Sequence, residues 1–197
     1  FIKEHCASHI FWNRCYEPSI ISRDSLIKDQ LAADGVTASS QNGSLIWEPW
    51  ENLKQDGTPY KIFTPFYKYA IANNPPAAPN QAANINFDTV KCLQDKNRLD
   101  SLNLLPDINW HEQFASHWQP GEQGARQRLQ DFTENALADY RDGRDYPAKR
   151  SVSMLSPHLH FGEVSPREAA SMVKQAGDID SNEEQAAHFV RELAWRE

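Results

Sequence analysis

The run Ser151-Val152-Ser153-Met154-Leu155-Ser156-Pro157-His158-Leu159-His160-Phe161-Gly162-Glu163 concentrates side chains that could hold an anion. Three serines lead into a Ser-Pro pair, and hydroxyls together with the free N–H groups of a helix start are what a phosphate requires. Tyr140, Arg141, Arg144, Lys149 and Arg150 lie just upstream. A nucleotide-cofactor clamp is one reading of this run. An ordinary helix start, with Ser156 as N-cap and Pro157 at the first helical position, is the other. His158 and His160 bring two imidazoles without a third ligand, so no metal site is expected.

The last residues carry a second chemical pattern. At about 100° per residue, Ala186, Phe189, Val190, Leu193 and Ala194 share one arc and should face a core, while His188, Glu192, Trp195 and Arg196 share the opposite arc. Trp195 is therefore a large aromatic group among charges, one helical step from Glu192. It could stack on a flat base or ring. Burial under another helix is equally compatible with its place, since helices of larger domains are often covered on two faces.

The elements needed to position these groups fall into two classes. Ile10-Phe11-Trp12 reads as the end of a buried strand, Glu17-Pro18 opens a helix with Ile20, Ile27 and Leu31 at helical spacing, and Gly35 stands where a left-handed C-cap belongs. Val36 to Ser40 reads as the next strand, which gives the βαβ grammar of a parallel sheet. Thr64-Pro65 can open a helix, and the aromatic residues around it read as packing. Pro75, Pro76 and Pro79 mark a linker that begins near Asn73 and extends to about Trp110. Beyond it, Leu129, Phe132, Ala136 and Leu137 form one apolar helical face. Ser165 to Glu168 and Ser181 to Glu184 read as capping boxes, with Gly177 ending the helix between them. The expected fold class is α/β followed by all-α: an α/β part at 1–72, a linker at 73–110 and a helical part at 111–197.

Composition excludes several classes. The chain has 197 residues, 40% of them hydrophobic and 24% charged, as in an ordinary soluble globular protein. No apolar run approaches the roughly 20 residues of a membrane span and no signal segment is seen, so a cytoplasmic protein is expected. A net charge of −7 argues against coating nucleic acid through bulk positive charge. Any DNA contact must be local, and the basic run at 141–150 is either that contact or a solvated loop. Cys6, Cys15 and Cys92 form an odd set without a Cys-x-x-Cys pair and read as reduced thiols. Phe1 is not an initiator methionine, and Arg191 to Glu197 stop inside a helical pattern. The chain reads as an internal fragment.

Six segments resemble one family in order and spacing: Trp12-Asn13-Arg14-Cys15-Tyr16-Glu17-Pro18, Asn42-Gly43-Ser44-Leu45, Tyr60-Lys61-Ile62-Phe63-Thr64-Pro65-Phe66, Arg144-Asp145-Tyr146-Pro147, Leu155 to Glu163, and Arg191-Glu192-Leu193-Ala194-Trp195-Arg196-Glu197. Together they resemble the DNA photolyase/cryptochrome family, most of all its class I cyclobutane pyrimidine dimer photolyases. The resemblance implies the end of a parallel-sheet antenna domain, a long linker and the start of a helical FAD-binding domain. It implies FAD contacts at Tyr140 and at the loop Val152, Ser153, Met154, Leu155 and Ser156. Val152 departs from the family's threonine, leaving Ser151 or a water to replace the missing hydroxyl.

The same resemblance makes Arg144 a contact to the DNA strand, Glu192 the group that recognises a flipped pyrimidine dimer and Trp195 the ring that stacks on it. The implied activity is light-driven dimer repair by electron transfer from reduced FAD, a carbon-carbon lyase reaction that needs no acid-base set. The isolated fragment is expected to be inactive. A photoreceptor of cryptochrome type, without repair, is the alternative. A second antenna chromophore, folate or deazaflavin, is implied for the family, and Glu17 is either a contact to it or a helix N-terminal charge. UV-damaged DNA is the expected partner of a monomer.

Overall fold

The computed structural model describes residues 2, 5–80, 104 and 106–197. Cys92 and the part of the expected linker from 81 to 103 lie outside the described residues. Strand β1 (His9–Asn13) pairs in parallel with β2 (Thr37–Gln41), His9 opposite Thr37 and Asn13 opposite Gln41. Parallel strands need a crossover, and helix α1 (Pro18–Ala33) provides it.

Pro18 begins α1 with its φ already set for a helix. Gly35 closes it at φ +76, with its N–H on the Ala32 carbonyl at 3.0 Å and the Val36 N–H on that of Leu31 at 2.8 Å. This paired return is the left-handed termination that Gly35 was expected to make. β1 is not a buried strand, however. Its residues alternate in exposure and Phe11 is 64% exposed, because no layer covers that face among the described residues.

Helix α2 (Phe63–Asn73) starts at the expected Thr64-Pro65 to within one residue. A short 3-10 run, Asn109–Ser116, takes in Trp110. Helices α3 (Glu122–Asn135), α4 (Tyr140–Gly143), α5 (Ser156–His160), α6 (Pro166–Ile179) and α7 (Glu183–Leu193) follow, and a 3-10 turn, Ala194–Arg196, comes after α7. None of the described helices is long and apolar enough to cross a membrane.

The hydrophobic core lies among these helices, with Leu129, Phe132, Leu137, Leu155, Val173 and Phe189 at its centre. Ile46, Trp47 and Ala70 belong to the same core. Packing therefore does not divide at 72, since the apolar and aromatic residues after β2 bury themselves against the helical part. Polar bonds fix that return. The Glu197 carboxylate accepts the N–H groups of Ile46 at 2.9 Å and Trp47 at 3.1 Å, Arg167 donates to the Ile46 carbonyl at 2.7 Å, and the Trp47 indole donates to the Asn74 carbonyl at 2.6 Å.

Of the two expected capping boxes, one forms its serine half, while the Glu168 carboxylate turns to Arg126 at 3.3 Å. Ser165 Oγ accepts the Glu168 N–H at 3.0 Å. Ser181 is instead in a left-handed conformation at φ +56, and Asn182 is the N-cap of α7. Gly177 does not end α6, which continues to Ile179. A Cβ on Gly177 would lie 2.7 Å from the Ala186 Cβ, so this glycine serves the close approach of α6 to α7.

Candidate functional site

The serine-rich loop is anchored at both ends. Ser151 is 5% exposed and donates to Asp139 Oδ2 at 3.0 Å, an oxygen that Lys149 Nζ also reaches at 3.0 Å. Gly143 makes this possible, because a Cβ there would fall 2.2 Å from Ser151 Oγ. The Lys149 and Ser151 hydrogen bonds hold the Asp139 carboxyl below the usual aspartate range. The Ser151 hydroxyl is thus engaged inward and does not replace the one missing at Val152.

Leu155 is buried in the core, while Val152 and Met154 are exposed and Met154 takes a left-handed φ of +53. Such a backbone is uncommon outside glycine and persists only where its surroundings fix it. Ser156 is the first helical residue and not the N-cap, a place held by Leu155 without a side-chain bond. The helix it opens has only five residues. Its dipole is correspondingly a small part of any attraction for anions.

Val152, Ser153 and Met154 line a cleft of about 540 Å³ with Arg128, Lys149 and Arg150, against the single carboxylate of Asp131. Three cations, a serine and a strained loop fit the anionic edge of a nucleotide cofactor. Leu155 and Ser156 lie outside this lining, and so does Tyr140.

Tyr140 belongs to a second cluster. It is 7% exposed, and its ring meets Phe132 at 5.4 Å and Phe189 at 5.5 Å, both edge-on. Burial pushes its hydroxyl pKa up, with Arg144 opposing and Glu192 adding to the rise. The Arg144 guanidinium lies 5.6 Å from the Tyr140 ring centre, and its Nη1 is 2.9 Å from Glu192 Oε1. The Glu192 carboxylate beside it pushes the Arg144 pKa still further up, so the guanidinium stays charged. Tyr140, Arg144 and Glu192 are therefore brought together, although 52 positions separate the first from the last in sequence.

Trp195 lies just past α7, which ends at Leu193, in the 3-10 turn Ala194–Arg196. It is 60% exposed and stacks on Phe63, which covers one of its faces. Both rings line a cavity of about 350 Å³ with Trp47, Tyr60, Phe66 and Glu48. Sequence reasoning placed Phe63 in a packing stripe and missed this contact.

Other motif residues have structural partners. His158 is buried, stacked on Trp118 at 4.8 Å and held through Nδ1 by Glu163 at 2.5 Å, while His160 lies exposed against Phe161. Glu17 is the N-cap of α1 but makes no side-chain cap bond, its carboxylate accepting the Tyr16 N–H at 3.1 Å. Arg14 bridges Glu48 at 2.5 Å and the Ser40 carbonyl at 2.7 Å, and Tyr16 donates to Glu48 at 2.8 Å. Burial first, and Glu48 second, drive the Tyr16 hydroxyl pKa up. The Trp-Asn-Arg-Cys-Tyr-Glu-Pro motif thus ties β1 to the segment that returns to the helices.

Comparison with known proteins gives concordant likenesses. The family model for DNA photolyase matches residues 1–82. A deoxyribodipyrimidine photo-lyase from Agrobacterium fabrum is 36% identical over 198 residues, covering 100% of this chain and 41% of that relative. Cryptochrome-1 from Arabidopsis thaliana is 30% identical over 207 residues, covering 100% of this chain and 30% of its own. The crystal structure of a bacterial class III photolyase from Agrobacterium tumefaciens superposes with a TM-score of 0.89 at 35% identity, over 99% of this chain and 40% of its own. That neighbour is of class III, whereas class I was the expectation from the motifs. The chain spans about two fifths of the photo-lyase it matches.

Proposed function

From the premise that this chain belongs to the DNA photolyase/cryptochrome family, we propose that the whole protein repairs cyclobutane pyrimidine dimers in UV-damaged DNA under light, with FAD as its cofactor. One observation carries the reading. An exposed indole, Trp195, stands three residues from Glu192, a partly exposed carboxylate already paired with Arg144. A damaged base is cheap to extrude from the duplex, and once extruded it can stack on an aromatic face and be read by polar groups at its edge.

In this reading, Lys149, Arg150 and Arg128, with Ser153 and the backbone of the Val152–Met154 loop, hold the cofactor's phosphates. Tyr140, packed between Phe132 of α3 and Phe189 of α7, is the remaining FAD contact. Arg144 meets the DNA strand and holds Glu192 in place, Glu192 accepts hydrogen bonds from the dimer's edge, and Trp195 takes the dimer's face. Bound reduced FAD supplies the photoexcited electron that opens the cyclobutane ring, while the protein supplies binding and orientation. A second, antenna chromophore belongs to the same proposal.

The test is blue-light repair of an oligonucleotide with one thymine dimer by the full-length protein, alongside its Trp195→Ala and Glu192→Ala variants. Light-dependent loss of the dimer, weakened in both variants, is expected. Bound flavin without repair would replace this reading by that of a photoreceptor, and no flavin at all would sink both.

A further inference from the structure

Phe63 and Trp195 lie face to face, with ring centres 3.8 Å apart and planes 10° from parallel. The stack continues past this pair. Tyr67, one helical turn along α2, stacks on Phe63 at 5.5 Å and 15°, so three rings form a column that ends at Trp195. The column is rooted in the core. Phe66 and Ala70 lie on the same helix, Ala70 fully buried and Phe66 edge-on to the buried Trp47 at 5.7 Å.

Trp195 itself is held by little else. It sits in a three-residue turn after α7, its side chain is largely exposed, and among the described residues no hydrogen bond fixes its indole. An unsupported indole there would sample several rotamers, and ordering it on binding would cost affinity. Phe63 restricts that freedom, because the stack holds the indole plane parallel to its own. One face of the indole is then covered and the other remains open.

We propose that Phe63 is a positioning residue for Trp195: by stacking from α2, it holds the indole plane ready and leaves one face for the lesion extruded from DNA. This rests on the reading of Trp195 as the ring that receives the lesion. The covered face also sets a limit on what is taken. The site accepts a ring on one side of the indole only and does not admit intercalation of the indole between two bases.

The experiment compares binding of the full-length protein to an oligonucleotide with one thymine dimer and to the same oligonucleotide undamaged, with flavin content measured in parallel. Phe63→Leu should lower the preference for damaged DNA by about five- to tenfold, the effect of one side chain that must be ordered on binding, at unchanged flavin content. Phe63→Tyr, which keeps the ring plane, should restore the preference. Phe63→Met carries the same test if Phe63→Leu does not fold.

Two results overturn the inference alone. One is parental preference in Phe63→Leu or Phe63→Met while Trp195→Ala loses it, and the other is a loss that Phe63→Tyr fails to restore. Parental preference in Trp195→Ala overturns the underlying reading of Trp195, and the inference falls with it.

Discussion

Arg144, just past the end of α4, and Glu192 on α7, 48 positions further along, face each other at 2.9 Å with their side chains only partly exposed. Each charge neutralises the other before any DNA arrives. Glu192→Gln should leave Arg144 beside Tyr140 with only the more distant Asp145 carboxylate, 3.9 Å away, to offset it. Affinity for undamaged DNA should then rise two- to threefold at low salt, with a salt slope steeper by up to about one unit, while preference for damaged DNA falls. Fluorescence anisotropy between about 50 and 200 mM salt reads all three.

Val152 offers no hydroxyl to the cleft, and Ser151 cannot stand in because Asp139 holds it. Val152→Thr should therefore tighten flavin binding in the full-length protein by about fivefold, corresponding to about 1 kcal/mol for one added hydrogen bond. Flavin release during dilution or denaturant titration measures this. Unchanged retention would mean that the loop holds phosphate through its backbone alone.

Gly177→Ala sets two effects against each other. Helix propensity alone favours alanine by about 1 kcal/mol, but the new methyl would sit 2.7 Å from the Ala186 Cβ and force α6 and α7 apart. Overpacking of this kind costs about 1–3 kcal/mol, so a net loss of stability is expected in urea unfolding. Adding Ala186→Gly should recover part of it. A stabilised Gly177→Ala would show that the two helices separate freely.

Asp139 predicts a pH dependence. Its folded pKa is held below the ordinary value of about 3.8 by Lys149 and then Ser151, so its stabilising effect is full above that value. The effect disappears as pH falls through the depressed folded value. Stability curves of the parent and Asp139→Asn should therefore run parallel from neutral pH to about pH 5 and converge only below the ordinary aspartate range. A gap that persists in strong acid would assign the loss to packing around Ser151.

What the sequence made legible were features settled within a few residues. Gly35 needed only its own φ and the carbonyls of the preceding turn, Ser165 only the N–H three residues on, and the apolar face of α3 only the helical period. The features that escaped depend on partners far along the chain. Gly177 was read as a helix stop because glycine usually is one, whereas its role is set by Ala186 on the next helix. Trp195 lies in a turn just past the end of α7, and nothing in its own neighbourhood announced Phe63. Ser151 looked available because Asp139, its partner, lies outside the motif. Tyr140, Arg144 and Glu192 were each named through family resemblance, and their convergence is a property of the folded chain.

The grip of Glu197 on the backbone of Ile46 and Trp47 spans 150 residues of sequence. During synthesis at about 5–20 residues per second, Trp47 and the aromatic face of α2 would leave the ribosome roughly six to thirty seconds before that partner does. The core cannot close in that interval, because the helices that complete it have yet to be made. The same stitch that joins the two parts of the folded chain thus creates a window in which a nascent chain presents sticky aromatic surface, and in which a chaperone has its clearest opportunity to act.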